Sequence, residues 1–159
     1  MPNSAEETPV GWERLPSWLL TQTANHAHRL VADGFSSVDA RGYHYRLLAA
    51  LEETGPASQA ALGRRSGIHL SDMVATVNEL AERKLVERAP DPADRRRNII
   101  SLTAVGKRQL RRLAIQVAES QDELLAPLSS QERQVLTELL STLLDHHNRR
   151  TGTPEGPWR

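Results

Sequence analysis

Apolar positions along the chain follow a helical period first, a strand period briefly, and a helical period again. After Pro16, Leu19, Leu20, Thr23, Ala27, Leu30 and Val31 form one stripe, which predicts a helix over about 16–33 closed by Gly34. Pro16 suits the start, because its missing N–H costs nothing in a first turn. A second helix is predicted over 39–53, stopped by Gly55-Pro56. Ser58 begins a short helix to Arg65, Ser66-Gly67-Ile68 makes a turn, and a helix over 69–84 puts Met73, Val77 and Leu80 on one face. The period then changes. Leu85–Arg88 and Asn98–Leu102 read as strands around a loop with two prolines and a cluster of charge, which predicts a hairpin. Thr103 caps a helix over 104–126 that Pro127 ends, and Ser129 with Glu132 forms a capping box for a last helix over 130–148.

These elements predict a mainly α fold with a small β-hairpin wing. Helix, glycine turn, helix and hairpin in that order make a winged helix-turn-helix core over about 55–103. The expected frame is a single domain over 15–150, with dimerisation helices at 16–33 and 104–148. Residues 1–14 and 151–159 are expected to be flexible ends. Leu110, Ala114, Val117, Gln121, Leu124 and Leu128 alternate spacings of four and three, a coiled-coil-like seam, and Leu136, Leu140 and Leu143 repeat the idea. Such a seam serves either a dimer interface or packing within one chain.

Charge sharpens this picture. The chain is formally neutral, but residues 64–112 hold 12 basic and 6 acidic side chains, net +6, while each flank is net −3. A basic middle between acidic ends is the footprint of a nucleic-acid face on one part of a fold. The chain has no cysteine, so disulfides and thiolate chemistry are excluded and a reducing cytoplasm is expected. No apolar run approaches the ~20 residues that span a bilayer. There is no phosphate-cradling glycine loop or nucleophile elbow, and His26, His28, His146 and His147 lack metalloprotease spacing. Neither enzyme, cofactor nor metal is expected.

Each part of the core has a physical job. Gly63 is small where two helices approach, and Gly67 supplies backbone freedom at the turn. A helix fills a DNA major groove, so the start of the helix from His69 should face base edges through His69, Ser71, Asp72, Ala75 and Thr76. Ser58, Gln59, Arg64 and Arg65 on the preceding helix are further candidates for contacts to DNA. Arg95, Arg96 and Arg97 at the wing tip suit a minor groove, with Asp91 and Asp94 bracing them.

Residues 40–112 resemble the MarR family of bacterial transcriptional regulators. The resemblance is carried by Gln59-Ala60-Ala61-Leu62-Gly63, Val77-Asn78-Glu79-Leu80 and Leu85-Val86-Glu87-Arg88. Its most specific part is Asp91-Pro92-Ala93-Asp94-Arg95-Arg96, followed by Ile100-Ser101-Leu102-Thr103 and Gly106. The outer helices match by order and length. The resemblance implies a homodimeric repressor on a pseudo-palindromic operator, released by a small phenolic or aromatic acid. Two departures stand out. Many members carry Thr-Arg where this chain has Val74-Ala75, and the thiol switch of the peroxide-sensing branch has no cysteine here.

Effectors of this family usually sit between the first helices and the DNA-binding lobe. The candidates there are Arg14 for a carboxylate, Trp18 for an aromatic ring, and His26, His44 and Tyr45. All five are residue types that also serve as core or surface filler. The alternative to a DNA-binding regulator is a winged-helix module that binds protein, a reading favoured by the neutral net charge.

Overall fold

The computed structural model describes residues 11–151, so most of both expected flexible ends lies outside the described residues. Within them, Trp12–Arg14 form one turn of 3-10 helix. Then come α1 (Pro16–Ser36), α2 (Gly42–Thr54), β1 (Ala57–Ser58), α3 (Gln59–Ser66), α4 (Leu70–Glu82), β2 (Val86–Pro90), β3 (Asn98–Leu102), α5 (Ala104–Leu124) and α6 (Ser130–Thr151). The order is the one read from periodicity, with two additions, the 3-10 turn within a stretch expected to be flexible and a short strand. The strand β1 pairs antiparallel with β3 through Ala57↔Ile100 and Ser58↔Ile99, giving a three-stranded sheet of order β1-β3-β2. Two residues are too few to show a period. Pro90 is tolerated at the end of β2 because that strand is an edge.

The caps explain the boundaries. Ser58 Oγ accepts the Ala61 N–H at 3.2 Å and opens α3. Gly67, at φ +62°, closes α3 in the left-handed region. Ser129 and Glu132 make the expected capping box, Ser129 N to Glu132 Oε2 at 2.8 Å and Glu132 N to Ser129 Oγ at 3.3 Å.

One apolar core joins Leu47, Leu48 and Leu51 of α2, Leu62 of α3, Met73, Val77 and Leu80 of α4, Val86 and Ile100 of the sheet, and Leu113 of α5. Burying each such side chain stabilises the fold by about 1.5–3 kcal/mol. The core therefore lies in the winged lobe and under the middle of α5. α6 is different: no residue of it through Arg150 is buried within the chain.

Three expectations about packing are corrected. α1 does not end at Gly34. It runs to Ser36, because Gly34 lies against α5, where an added Cβ would sit 2.9 Å from Ser120 Oγ. The buried stripe of α5 is Gly106, Gln109, Leu113 and Ser120, whereas Ala114 and Gln121 of the expected seam are exposed. Small and hydrogen-bonding residues were chosen there over leucines: Gln109 Nε2 donates to Val38 O at 3.1 Å and Ser120 Oγ to Leu30 O at 3.2 Å. Third, the close approach is not at Gly63, whose nearest neighbour to an added Cβ is Ile68 O at 3.6 Å. It is at Gly106, where a Cβ would fall 2.0 Å from Leu85 O.

The two glycines therefore predict opposite outcomes. Gly106→Ala forces α5 away from the α4–β2 corner and should cost about 1–3 kcal/mol, the scale of overpacking. Gly63→Ala should be neutral or stabilising by about 0.5–1 kcal/mol, since its helical backbone gains propensity. Urea titration of both variants checks this, and equal midpoints would contradict the assignment of Gly106 as the tight contact.

Candidate nucleic-acid interface

The second helix of the helix-turn-helix, α4, is held by its back and its C-terminal half. Met73, Thr76, Val77 and Leu80 face the core. Asn78 Oδ1 accepts from Arg88 of β2, and Glu79 pairs with Arg41 at the start of α2. Arg83, just past the helix, donates to Asp39 O at 2.8 Å. These ties leave the N-terminal half of α4 presenting Leu70, Ser71, Val74 and Ala75 to solvent.

The turn before α4 is fastened from α2. Arg46 Nη2 donates to the Ser66 carbonyl, which closes the C-terminal end of α3, and the guanidinium lies 5.8 Å from the Tyr43 ring centroid. An added Cβ at Gly67 would meet the same Arg46 nitrogen at 2.9 Å. Gly67 thus serves both its positive φ and the arginine's seat.

Basic side chains stand on both sides of α4 in the chain. Arg64 and Arg65 lie in the last turn of α3 and are exposed, Arg65 within 3.5 Å of Glu53. The wing tip between β2 and β3 is built by its own aspartates. Asp91 N donates to Arg97 O at 2.8 Å and Asp91 Oδ1 accepts from Ala93 N at 2.9 Å. Asp94 Oδ1 accepts from Arg96 N at 3.1 Å and from Arg96 Nε at 3.3 Å. Asp94 therefore braces an arginine as expected, but Asp91 braces backbone instead. Arg95, Arg96 and Arg97 are all exposed. Among the described residues, Arg64, Arg95 and Arg97 have no ion-pair partner.

Of the expected base-facing residues, His69, Ser71 and Ala75 are exposed and Asp72 is half-buried. Thr76 is a correction: it is 2% exposed, and its Oγ1 donates to Asp72 O at 2.7 Å. Its position three after Met73 and four before Leu80 places it on the inner face. Ser58 and Gln59 are half-buried at the start of α3, Ser58 as the cap. Leu70 and Val74, which the sequence reading passed over, stand on the exposed side.

The five effector candidates do not form one cluster. Arg14 and Trp18 lie at the outer end of α1, where Trp18 meets Trp12 edge to face at 5.3 Å. His26 lies within 2.7 Å of Arg29, in a cleft with Asp33 and Glu123. Tyr45 packs on Phe35 at 5.7 Å. His44 is buried and both ring nitrogens are engaged: Nδ1 accepts the Arg41 N–H at 3.3 Å and Nε2 lies 2.8 Å from Glu79 Oε2. An effector hydrogen bond to His44 would have to break one of these. The hydrogen bond from Arg41, then that from His44, holds the Glu79 carboxyl below the usual carboxylate range.

A family model described as the MarR family matches residues 37–97, the stretch from before α2 to the wing tip. Over 98 residues the chain is 32% identical to the HTH-type transcriptional repressor NicR of Pseudomonas putida, a match covering 62% of each protein. That aligned stretch is thus less than two thirds of the relative's length. The fold is similar to the crystal structure of a probable transcriptional regulator from Pseudomonas aeruginosa, with 33% identity, TM-score 0.72, and coverage of 82% of this chain and 98% of that one. It is also similar to the PcaV transcriptional regulator of Streptomyces coelicolor in complex with its natural ligand, with 30% identity, TM-score 0.71, and coverage of 87% and 97%.

The tie from α2 to α4 has a pH signature. Because the folded-state value of Glu79 is depressed, its stabilisation is present at neutral pH and lost as pH falls through that value. The group is 40% exposed, so screening limits the effect to about 0.5–1 kcal/mol. Glu79→Gln should melt below wild type at pH 7, and the gap should close toward pH 3. A gap independent of pH would show that the carboxylate charge contributes nothing.

Proposed function

The chain belongs to the MarR family, and from that premise we propose that it is a transcriptional repressor that binds a pseudo-palindromic operator as a homodimer and is released by a small aromatic effector. The observation that carries the reading is the exposed N-terminal half of α4, set in the chain between Arg64–Arg65 and the arginines of the wing. A helix presented in this way fits a major groove, and arginines without carboxylate partners are available to phosphates and to a minor groove.

The dimer is supported by the outer helices. α1, α5 and α6 enclose an apolar cleft of about 530 Å³ lined by Leu19, Leu20, Leu124, Leu136, Leu140 and Leu143. Leu139 and Leu144 of α6 are each 60% exposed in the single chain. A helix with a leucine face and nothing buried needs a partner, and a second copy offers the same face by two-fold symmetry. Two α4 helices must then lie about 34–36 Å apart to meet successive major grooves.

The effector part of the proposal is supported by Arg14 and Trp18, a carboxylate partner and an aromatic face on the arm that sets this spacing. An effector shifts the equilibrium only by its difference in affinity for the two spacings. Coupling of ~1–3 kcal/mol would lower DNA affinity about 5–150-fold.

Fluorescence anisotropy on DNA from upstream of the chain's own gene, at several salt concentrations, tests the reading. Tight, steeply salt-dependent binding is expected, relieved by one member of a panel of aromatic acids in wild type and not in Arg14→Ala. Arg95→Ala combined with Arg97→Ala should weaken binding to every duplex and make the salt slope shallower by up to about 2, two phosphate contacts being lost. Salt-insensitive, weak binding would instead favour a protein-binding module.

For the interface, Leu140→Glu puts a charge into the apolar cleft and should halve the mass seen by sedimentation. A dimer of unchanged mass would place the interface elsewhere.

A further inference from the structure

The recognition face carries an unexpected chemistry. Between Gly42 and Thr103, the exposed large apolar side chains among the described residues are Tyr43, Leu70 and Val74. Tyr43 lies beside Arg46. Leu70 and Val74 take no part in the core, and they are 70% and 45% exposed. They are four apart, so they stand on the same side of α4, in the half that its ties leave free.

The same face is poor in groups that read bases by paired hydrogen bonds. Such readout uses Arg or Lys on guanine and Asn or Gln on adenine. The amide on α4 is Asn78, and Arg88 holds its oxygen. Position 75 is alanine, and Ser71 offers one hydroxyl. Beside Ser71, His69 and the half-buried Asp72, each able to make a polar contact, the other exposed side chains there are apolar. In a major groove one base carries an apolar mark of its own, the C5-methyl of thymine.

We propose that Leu70 and Val74 read thymine methyl groups, so that each operator half-site requires one or two T·A pairs beneath the start of α4. This rests on the DNA-binding reading above and specifies how its specificity arises. Two side chains make too small a patch for a protein partner, which needs several hundred Å². In the chain they stand between the exposed Arg64–Arg65 and Arg95–Arg97, charges that match a polyanion.

Deoxyuridine differs from thymidine only by that methyl, so it isolates the contact. The full chain is used to select duplexes from a random pool, and affinities are read by anisotropy at fixed salt. Each thymine of a selected half-site is then replaced by deoxyuridine in turn. Replacement at one or two positions should weaken wild-type binding about three- to fivefold, the scale of burying one methyl group. Leu70→Ala or Val74→Ala should weaken binding to the thymine duplex and erase the difference between thymine and uracil at its own position. Both residues are exposed, so neither variant should change the melting curve. Selective binding that ignores uracil at every position overturns methyl readout and leaves DNA binding standing. Failure to enrich any duplex at low salt overturns the DNA-binding reading, and this inference with it.

Discussion

The corner where α4, β2 and α5 meet sets the geometry of everything beyond it. Leu85 O receives Thr103 N–H at 3.1 Å and lies 3.0 Å from Thr103 Oγ1. The Thr103 hydroxyl also donates to Lys84 O at 2.7 Å and accepts the Gly106 N–H at 2.9 Å, capping α5. Gly106 has no side chain where one would strike the Leu85 carbonyl. One threonine and one glycine thus join the end of the recognition helix, the return of the wing and the start of the longest contact with α1. A shift of α5 must move α4 and the wing together.

That junction makes the lobe a lever. α5 packs along α1 through Gly34 and Ser120, where small residues permit close approach and hydrogen bonds to Leu30 O and Val38 O fix the register. From α2, Arg41 and His44 reach Glu79, and Arg46 reaches the turn before α4. The ties to Glu79 hold α4 by its rear half, and Arg46 fastens the turn before its first residue. In the front half only the outer face, with Leu70, Ser71, Val74 and Ala75, is left free, while Met73 seats the inner face in the core.

The two ends of the structure solve different problems. The winged lobe closes its own core, so it is complete in one chain. α6 buries nothing through Arg150 and turns leucines outward, the face on which the proposed dimer rests. In the proposed dimer, the interface that covers α6 would also set the distance between the two copies of α4.

Much of this was legible in residue order. β3 was read with its observed ends, the Ser129–Glu132 box and the Thr103 cap stand where expected, and α1 to α6 follow the periodicity within a few residues, because caps and apolar spacing are local properties. Thr76 was legible too, since its spacing from Met73 and Leu80 puts it inside; reading it as base-facing gave residue type too much weight over position. By itself the sequence determined the six α-helices and the two wing strands, their order, the basic middle and the family likeness. Tertiary structure alone decided that β1 exists, that Gly106 and Gly34 are contact points, that Gln109 and Ser120 replace leucines under α1, and that Leu70 and Val74 face outward while His44 is occupied. The reason is physical: periodicity reports how a helix is divided between inside and outside, but what lies against each face comes from segments far away in the chain, and only their packing assigns the neighbours.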